Sequence, residues 1–596
     1  MSDTDLNGIQ TGNSVDAEAT EGRKTTLEFD NRYANLSDVD EFVARTQDYA
    51  AGLLQADEYR AYRLTRGVYG QRQDNVFMLR IKMPGGIVLP DQLRKVAEVV
   101  DLAPERVGHI TTRENIQIHH FPLDQVAAKM EMLAETGLTM TEACGNAVRN
   151  VTQDPLAGLA SDEVFDTTPY MQAIVRFFLR NPRAQKLPRK FKIALSTSPA
   201  DRAYAAIHDV GLVAVKGPDG QPAFKFLVAG GLASMPRSAL VVHEAWPAKD
   251  ILTPMLAVID FFQEHGNRKV RSKARIKHVL RKMGDEAFKA KYLEYLENVQ
   301  KNPPERLEHI DTVFSGVETW HYARPSDAEV GLAGFRTWAD TCVRETRLAG
   351  KVFVTIRVDR GGEVTAPNLR DMATLTETYG EGKLHFTPQQ NAVLRAVDVG
   401  DLPKLYADLQ KMELAKAGAG TIADITSCPG VSTCNLGVTY SRHVADDLVE
   451  LFDSFGDLDT TIKISGCHNS CGQHHIGTIG LYGALKRIGG RPAPHYRLMV
   501  GGDVNAQGAI FGEDLGLIPA RRVTTAVTRL LEHARTQKAT HETVGAFLRR
   551  AGPDALKPVV ADLLDIDETA ANELDFWDLK APGPFLGDTR DGECAV

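Results

Sequence analysis

The stretch Val-Phe-Met-Leu-Arg-Ile-Lys-Met-Pro-Gly-Gly-Ile-Val at residues 76–88 has a second version at residues 352–364, Val-Phe-Val-Thr-Ile-Arg-Val-Asp-Arg-Gly-Gly-Glu-Val. Its alternating apolar residues predict a strand, and the Gly-Gly pair that follows predicts a turn. The similarity runs without a gap from residue 76 to residue 118, at an offset of 276 positions, and twelve positions are identical. The chain therefore contains two copies of one αβ module.

A weaker repeat follows each copy. Phe191-Lys192-Ile193 leads to Gly211-Leu212, and Ile462-Lys463-Ile464 leads to Gly480-Leu481. We therefore predict an internally duplicated α+β fold with a pseudo-twofold axis and a site at the seam between the copies.

Charged residues that differ between the copies are candidates for function, because positions required only for folding should agree. His109 is repeated as His385 and is therefore interpreted as structural. The first copy has three cations where the second has uncharged residues, and these pairs are Arg80 and Ile356, Lys82 and Val358, and Arg113 and Gln389.

Composition excludes several classes of protein. Lys plus Arg is 69 and Asp plus Glu is 78, so the formal charge is −9, which argues against a nucleic-acid-binding protein. No apolar run is long enough to span a membrane and no secretory leader is visible, so we expect a cytoplasmic protein without a membrane partner. Any anion that it binds must be held in a local basic pocket.

Four of the seven cysteines lie in two close pairs, Cys428-x5-Cys434 and Cys467-x3-Cys471. Four thiolates are the ligand set of a tetrahedral zinc ion or of an iron–sulfur cluster, and the spacing argues mildly against zinc. His468, His474 and His475 are interpreted as loop or core histidines rather than as metal ligands. A non-enzymatic protein with a structural zinc or a bare cluster is the alternative to a redox enzyme.

The cysteine pairs, with Gly-Cys-His-Asn-Ser-Cys-Gly at residues 466–472, resemble the sulfite and nitrite reductase family that uses coupled sirohaem and [4Fe-4S] centres. The resemblance extends from about residue 60 to 570. It includes the duplication and four further stretches: residues 111–115 (Thr-Thr-Arg-Glu-Asn), 149–151 (Arg-Asn-Val), 187–192 (Leu-Pro-Arg-Lys-Phe-Lys) and the basic run 267–277.

The resemblance implies a role for each of these motifs. The four cysteines would hold a [4Fe-4S] cluster, and Cys471 would also bridge to the sirohaem iron. The substrate pocket would contain Arg80, Arg149, Lys190 and Lys192. The carboxylates of sirohaem would be bound by Arg113, Gln117, Arg189, Arg268, Arg271, Arg275 and Lys277. Alternatively, the basic residues 268–282 form a solvated helix face or a docking patch for an acidic electron donor.

Six-electron reduction of sulfite to sulfide is the reaction that the resemblance favours, with reduction of nitrite to ammonia as the alternative. The pair of lysines at Lys190 and Lys192 resembles the sequence of sulfite reductases at this place, whereas the sequence of residues 148–158 is closer to that of nitrite reductases. No Gly-x-Gly-x-x-Gly motif follows a strand, so electrons would come from a ferredoxin or a separate flavoprotein.

These predictions combine into a pseudo-twofold sirohaem reductase fold of three domains. At roughly 150 residues per domain, a chain of 596 residues is long enough for them. We expect a flexible tail at 1–30, a central duplicated domain at 60–146 with 346–420, a substrate and sirohaem domain at 147–345, and a [4Fe-4S] and sirohaem domain at 421–596.

Overall fold

The computed structural model describes residues 31–312, 314–315, 320–505, 507–588 and 592–593. The predicted tail at 1–30 and Cys594 lie outside the described residues. Within those described ranges, no helix is both long and apolar enough to cross a membrane.

Strands and helices alternate along the chain, as expected for a mixed α and β fold. The strands are β1 (Val68–Gly70), β2 (Val76–Ile81), β3 (Ile87–Val88), β4 (Val107–Ile110), β5 (Ile116–Pro122), β6 (Thr152–Gln153), β7 (Ile193–Ser196), β8 (Val210–Lys216), β9 (Pro222–Val228), β10 (Leu240–Pro247), β11 (Val343–Glu345), β12 (Lys351–Ile356), β13 (Glu363–Thr365), β14 (Leu384–Phe386), β15 (Ala392–Asp398), β16 (Thr426–Ser427), β17 (Ile462–Ser465), β18 (Ile479–Ile488), β19 (Arg491–Val500), β20 (Asp503–Asn505), β21 (Gly508–Ile510) and β22 (Glu513–Pro519).

The helices cover the sheets and contribute much of the core. They are α1 (Leu36–Ala50), α2 (Ala56–Thr65), α3 (Pro90–Asp101), α4 (Val126–Ala134), α5 (Thr168–Phe178), α6 (Leu252–His265), α7 (Ile276–Met283), α8 (Asp285–Gln300), α9 (Asp327–Val330), α10 (Phe335–Cys342), α11 (Asp359–Gly362), α12 (Ala366–Tyr379), α13 (Leu402–Lys411), α14 (Ser441–Val449), α15 (Phe452–Phe455), α16 (Val523–Gln537) and α17 (Val544–Val560).

The two repeat copies form two five-stranded sheets that exchange one strand each. One sheet has the order β1-β2-β5-β4-β13, and the other has the order β11-β12-β15-β14-β3. Strand β13 of the second copy pairs with β4 of the first, while β3 of the first copy pairs with β14 of the second. The predicted duplicated, pseudo-twofold α+β fold is thereby confirmed.

The exchange depends on the repeated Gly-Gly pair, whose second member approaches the other copy closely. Gly86 has a φ of +68°, and a Cβ there would lie 2.3 Å from the carbonyl oxygen of Phe386. Gly362 has a φ of +82°, and its Cβ would lie 2.3 Å from the carbonyl oxygen of Ile110. Only glycine fits such a contact in a left-handed conformation.

Helices α3 and α12 pack together across the pseudo-twofold axis. Arg94 donates two hydrogen bonds to Glu377, at 2.7 and 2.6 Å, and Arg370 makes the reciprocal ion pair with Asp101. The helices bury Leu93 and its counterpart Leu369 in a hydrophobic core that is continuous between the two copies. Arginine is thus repeated at residues 94 and 370 because each copy binds the other.

A second pair of sheets follows the weaker repeat, in the orders β6-β7-β8-β9-β10 and β16-β17-β18-β19-β22. Ile193 pairs with Val210, and Ile462 pairs with Ile479, so Ile193 corresponds to Ile462. The sequence alignment that matched Ile193 with Ile464 is therefore wrong by two residues. Both strands are short and wholly buried, so no polar alternation marks their register.

Candidate functional site

Arg80 and Gln117 face each other across strands β2 and β5 of the first copy. With its amide oriented so that the oxygen faces the guanidinium, Gln117 accepts a hydrogen bond from Arg80 Nε at 2.8 Å. The guanidinium of Arg80 lies 5.7 Å from the ring centroid of Tyr69 on β1. The strand register and the aromatic ring together orient the charge of Arg80.

Tyr69 also connects Arg80 to Arg149. Arg149 Nη2 donates to the Tyr69 hydroxyl at 3.3 Å, and its Nε donates to the carbonyl of Gly145 at 2.8 Å. Arg149 is buried, so these bonds fix its side chain in place. Two of the four predicted substrate-binding cations therefore contact one tyrosine, Arg80 at its ring and Arg149 at its hydroxyl.

The two predicted lysines are brought to the same place by a short parallel bridge between Val148 and Phe191. The backbone N–H of Arg149 donates to the carbonyl of Phe191 at 2.8 Å. Phe191 packs against Phe262, with ring centroids 5.8 Å apart. Lys190 and Lys192 flank Phe191 in the chain and are held beside Arg149 by this backbone pairing.

Lys192 lies in a strongly positive environment. Burial lowers the pKa of its amino group well below the ordinary value, and the nearby cations Arg113, Arg275 and Lys190 lower it further, against an opposing effect of Asp209. A bound anion would stabilise the charged form of Lys192, because it would offset the repulsion between the cations.

Tyr69, Arg149 and Lys190 line a cavity of about 300 Å³, whereas Arg80 and Lys192 are not among its lining residues. Its lining is rich in cations and includes two carboxylates. The charged lining residues are Asp57, Arg60, Arg149, Lys186, Arg189, Lys190, Arg268, Arg271 and Glu593. The cavity supplies the local basic pocket that a chain of net negative charge needs to bind an anion.

The two cysteine pairs lie on loops that touch through glycine. A Cβ on Gly466 would lie 2.5 Å from the Cα of Gly430, so neither loop could approach the other with a side chain there. Cys428 Sγ accepts a hydrogen bond from the N–H of Gly466 at 3.1 Å. The chain thus brings Cys428 of the first pair to the loop that carries the second.

The cysteines influence each other electrostatically. Burial, with the neighbouring Cys471 and Cys428, raises the pKa of the Cys467 thiol to about 12. Within the described ranges, no three His, Cys, Asp or Glu side chains converge closely enough to hold a single metal ion. In a [4Fe-4S] cluster each cysteine binds a different iron, so the four sulfurs surround a larger body.

The cysteine loop reaches the first copy through Thr112. Its hydroxyl donates to the carbonyl of Cys471 at 2.8 Å. Thr112 precedes Arg113, and it belongs to the loop that leads into strand β5 with Gln117. The predicted cluster ligands and the predicted substrate pocket therefore meet at one seam.

Several buried polar atoms at this seam have no hydrogen-bond partner, which is the test of whether an anionic cofactor fits there. Both ring nitrogens of His119 are in this state, and so are Nε and Nη2 of Arg442. The two side chains lie close enough for Arg442 to lower the pKa of His119, after the larger effect of burial. Buried polar groups normally have partners, so the residues fit a group with many carboxylates such as sirohaem.

Sequence reasoning missed both His119 and Arg442. His119 follows Gln117 by two positions on β5, so both side chains lie on one face of the sheet, and this alternation was a usable signal. Arg442 lies on α14, far from the repeat in sequence, and nothing in its surroundings marks it. His109 pairs with Glu363 across the exchanged strands and bonds to the backbone of Gly361. Its Nδ1 is nevertheless buried without a partner, like the ring nitrogens of His119, so its structural role stays a prediction.

The remaining predicted cofactor-binding residues fall into two groups. Arg189, Arg268 and Arg271 line the cavity. Arg113, Arg275 and Lys277 are engaged by the protein itself: Arg113 by His208 and Thr152, Arg275 by Asp209, and Lys277 by the carbonyls of Leu232, Ser234 and Met235. Contact of either group with sirohaem remains a prediction.

Two family models match the chain. The nitrite/sulfite reductase ferredoxin-like half domain matches residues 69–136 and again 347–412, and the nitrite and sulphite reductase 4Fe-4S domain matches residues 144–300. The two half-domain matches coincide with the two repeat copies. The 4Fe-4S domain match, however, lies outside the segment that holds the two cysteine pairs.

Similar curated proteins carry both kinds of name. "Sulfite reductase [ferredoxin] 2" of Mycolicibacterium paratuberculosis is 30% identical over 448 residues, covering 74% of this chain and 75% of that protein. The "Assimilatory ferredoxin-dependent nitrite reductase" of Haloferax mediterranei is 28% identical, covering 82% of this chain and 85% of its own. Among solved structures, that of the Mycobacterium tuberculosis NirA protein superimposes with a TM-score of 0.73 at 25% identity, covering 87% of this chain and 95% of that one.

Proposed function

The chain belongs to the family of nitrite and sulfite reductases that use sirohaem and a [4Fe-4S] cluster, and on that premise we propose that it reduces sulfite to sulfide with six electrons. Reduction of nitrite to ammonia at the same centre is the alternative. One observation above all supports a small anionic substrate: Arg149 and Lys190 line a basic cavity together with Tyr69, whose ring also contacts Arg80.

The protein's own residues would bind the anion and move protons. Arg80 and Arg149 are fixed charges with their geometry set by Tyr69, so they would hold the oxygens of the substrate and stabilise charge that builds up on them. Lys190 and Lys192 can release protons, which the oxygens need in order to leave as water. Burial and the nearby cations Arg113 and Arg275 lower the pKa of Lys192, so its ammonium would release a proton more readily than that of an ordinary lysine.

The cofactors would be held by residues at the seam. Cys428, Cys434, Cys467 and Cys471 would bind the cluster, and His119, Arg442 and the cavity arginines would bind sirohaem carboxylates. When bound, these groups supply the electrons and the iron at which the sulfur or nitrogen is reduced. Electrons would come from a ferredoxin, as the names of the relatives state for those proteins, with a flavoprotein as the alternative donor.

Arg80→Met should reduce kcat/KM by about 100-fold, as expected when one charged donor is removed from a developing anion. The fold should be unaffected, because the strand pairing places the uncharged Thr355 of the second copy where the first copy has Arg80. The measurement is steady-state turnover with a small-molecule reductant, alongside iron and sirohaem content. Normal turnover in a fully loaded variant would show that the pocket was assigned to the wrong residues.

Lys192→Asn tests the choice between sulfite and nitrite. Sulfite carries more charge, so loss of a cation should lower kcat/KM for sulfite about tenfold more than for nitrite, as expected for one charge-assisted hydrogen bond. The wild-type protein is measured with both anions in the same assay. A wild-type preference for nitrite would favour the alternative function, and equal losses with both anions would remove Lys192 from the specificity argument.

A further inference from the structure

The first half of the chain contains a counterpart of the cluster site that has no cysteines. Asp154 donates its backbone N–H to the carbonyl of Leu195 at 2.9 Å, and Cys428 donates to the carbonyl of Ile464 at 3.3 Å. Both follow the outer strand of their sheet, β6 and β16 respectively. Because Leu195 and Ile464 occupy the same place in the paired sheets, Asp154 stands where the second half has Cys428.

The next loops correspond residue by residue. In the first half, Asp201 and Tyr204 have positive φ, and in the second half Ser470 and Gln473 do. Each loop then makes one short 3₁₀ turn, Ala205–Ile207 or His474–Ile476. This agreement places Ser198 at the position of Cys467 and Arg202 at the position of Cys471.

An ion-pair network joins the residues at these positions. Arg202 Nε donates to both carboxylate oxygens of Asp154, at 3.1 and 3.0 Å, and its Nη1 and Nη2 donate to Asp162 at 2.8 and 2.7 Å. Ser198 Oγ donates to the same Asp162 carboxylate at 2.9 Å. In the first half, the guanidinium of Arg202 connects its own loop to the loop of Asp154 and Asp162. In the second half, the corresponding loops would be connected by the four cysteine thiolates and the cluster.

The loop held by this network carries two residues, His208 and Asp209, that hold the cations Arg113, Arg275 and Lys192. Arg113 donates to His208 Nε2, so His208 Nδ1 carries the proton and donates to the carbonyl of Tyr204 at 2.6 Å. Asp209 is fully buried and binds Arg275 through both oxygens, at 2.9 and 2.8 Å. The same carboxylate accepts the backbone N–H of Lys192 at 2.9 Å.

We propose that Arg202 is a positioning residue for the anion pocket: it clamps residues 197–209 so that His208 and Asp209 hold Arg113, Arg275 and Lys192 in place. This inference rests on the proposed function, since it takes Lys192 to face the substrate and Arg113 and Arg275 to bind sirohaem carboxylates beside it. It also accounts for a 4Fe-4S domain match at residues 144–300, where the module keeps its shape with an ion-pair network in place of the cysteines.

Arg202→Met should raise KM for sulfite about tenfold while changing kcat less than about twofold, because a displaced cation weakens binding of the anion in its ground and transition states alike. The dissociation constant of sulfite, titrated through the sirohaem absorbance of the oxidised holoenzyme, should rise by the same factor. Arg202→Lys keeps the charge but lacks the guanidinium that bonds to two carboxylates at once. Its KM and its dissociation constant should lie between those of the wild type and of Arg202→Met.

Arg306→Met is the matched control, because Arg306 also binds both oxygens of one carboxylate, that of Asp250, but outside this loop. It should leave KM, kcat and the dissociation constant unchanged. If Arg202→Met does not fold, Asp162→Asn, which alters the half-exposed end of the network, should give a smaller rise in KM and in the dissociation constant.

Unchanged KM and sulfite binding in a fully loaded Arg202→Met or Asp162→Asn protein would overturn the inference, and so would a loss confined to kcat. Failure of the proposed function is separable from these results. Wild-type holoenzyme that turned over neither sulfite nor nitrite would refute the function, whereas the binding titration would still report on the network.

Discussion

Replacing Cys471 with serine is expected to give a folded protein that turns over neither sulfite nor nitrite. The thiolate is the ligand form of cysteine, and a serine hydroxyl is not ionised at neutral pH, so the variant should fail to hold iron at this position. Cys471 also lies at the contact with the first copy, where its carbonyl accepts the Thr112 hydroxyl. Because the family resemblance also assigns Cys471 to the sirohaem iron, loss of the cluster should be accompanied by loss of sirohaem.

The measurements are iron and acid-labile sulfide per chain, the sirohaem absorbance, and turnover with a small-molecule reductant. Cys342→Ser is the matched control, because Cys342 is buried in the shared core and its Sγ lies 3.4 Å from the carbonyl of Lys416. That variant should keep both cofactors and normal turnover, at a modest cost in stability. Full iron content and activity in Cys471→Ser would disprove the ligand assignment.

The sequence predicts the duplication and the seam because both require identical residues at corresponding positions of the two copies. An exchanged strand needs a glycine wherever the backbone of one copy touches that of the other, so Gly86 and Gly362 stay identical. Reciprocal ion pairs across the axis keep Arg94 and Arg370 identical for the same reason. Charges that serve only one copy, such as Arg80, then stand out by difference, although the strand pairing makes Thr355 its counterpart and not Ile356, as the ungapped alignment predicted.

Other features leave no such mark. The register of the buried strands β7 and β17 shows no alternation, so the sequence alignment slipped by two residues and matched Lys192 with Lys463. With the register corrected, Lys463 corresponds to Ala194. Arg442 and Arg202 resemble any surface arginine in sequence, and only the fold shows that Arg442 is buried at the seam and that Arg202 occupies the position corresponding to Cys471.

Replacing Gly86 with valine is expected to abolish folding altogether. A Cβ there would lie 2.3 Å from the Phe386 carbonyl, far inside the 3.0 Å that real side chains keep, and the obstructing atom is backbone that cannot swing away. The φ of +68° adds a further penalty of about 1–2 kcal/mol for a residue with a side chain. A domain has only about 5–15 kcal/mol of stability. We expect the steric clash and the backbone penalty together to exceed it, because the clash lies at the interface between the two halves.

Gly382→Val separates the two causes, because Gly382 has a φ of +80° but nothing within 4 Å of its would-be Cβ. It should yield folded protein with a lowered Tm, whereas Gly86→Val should yield little soluble protein and no cooperative thermal transition by circular dichroism. Gly362→Val should reproduce the damage of Gly86→Val, since Gly362 meets the Ile110 carbonyl at the same distance. Equal destabilisation by all three would assign the effect to backbone conformation alone. A folded Gly86→Val protein with a wild-type Tm would show that the two copies do not exchange strands in this way.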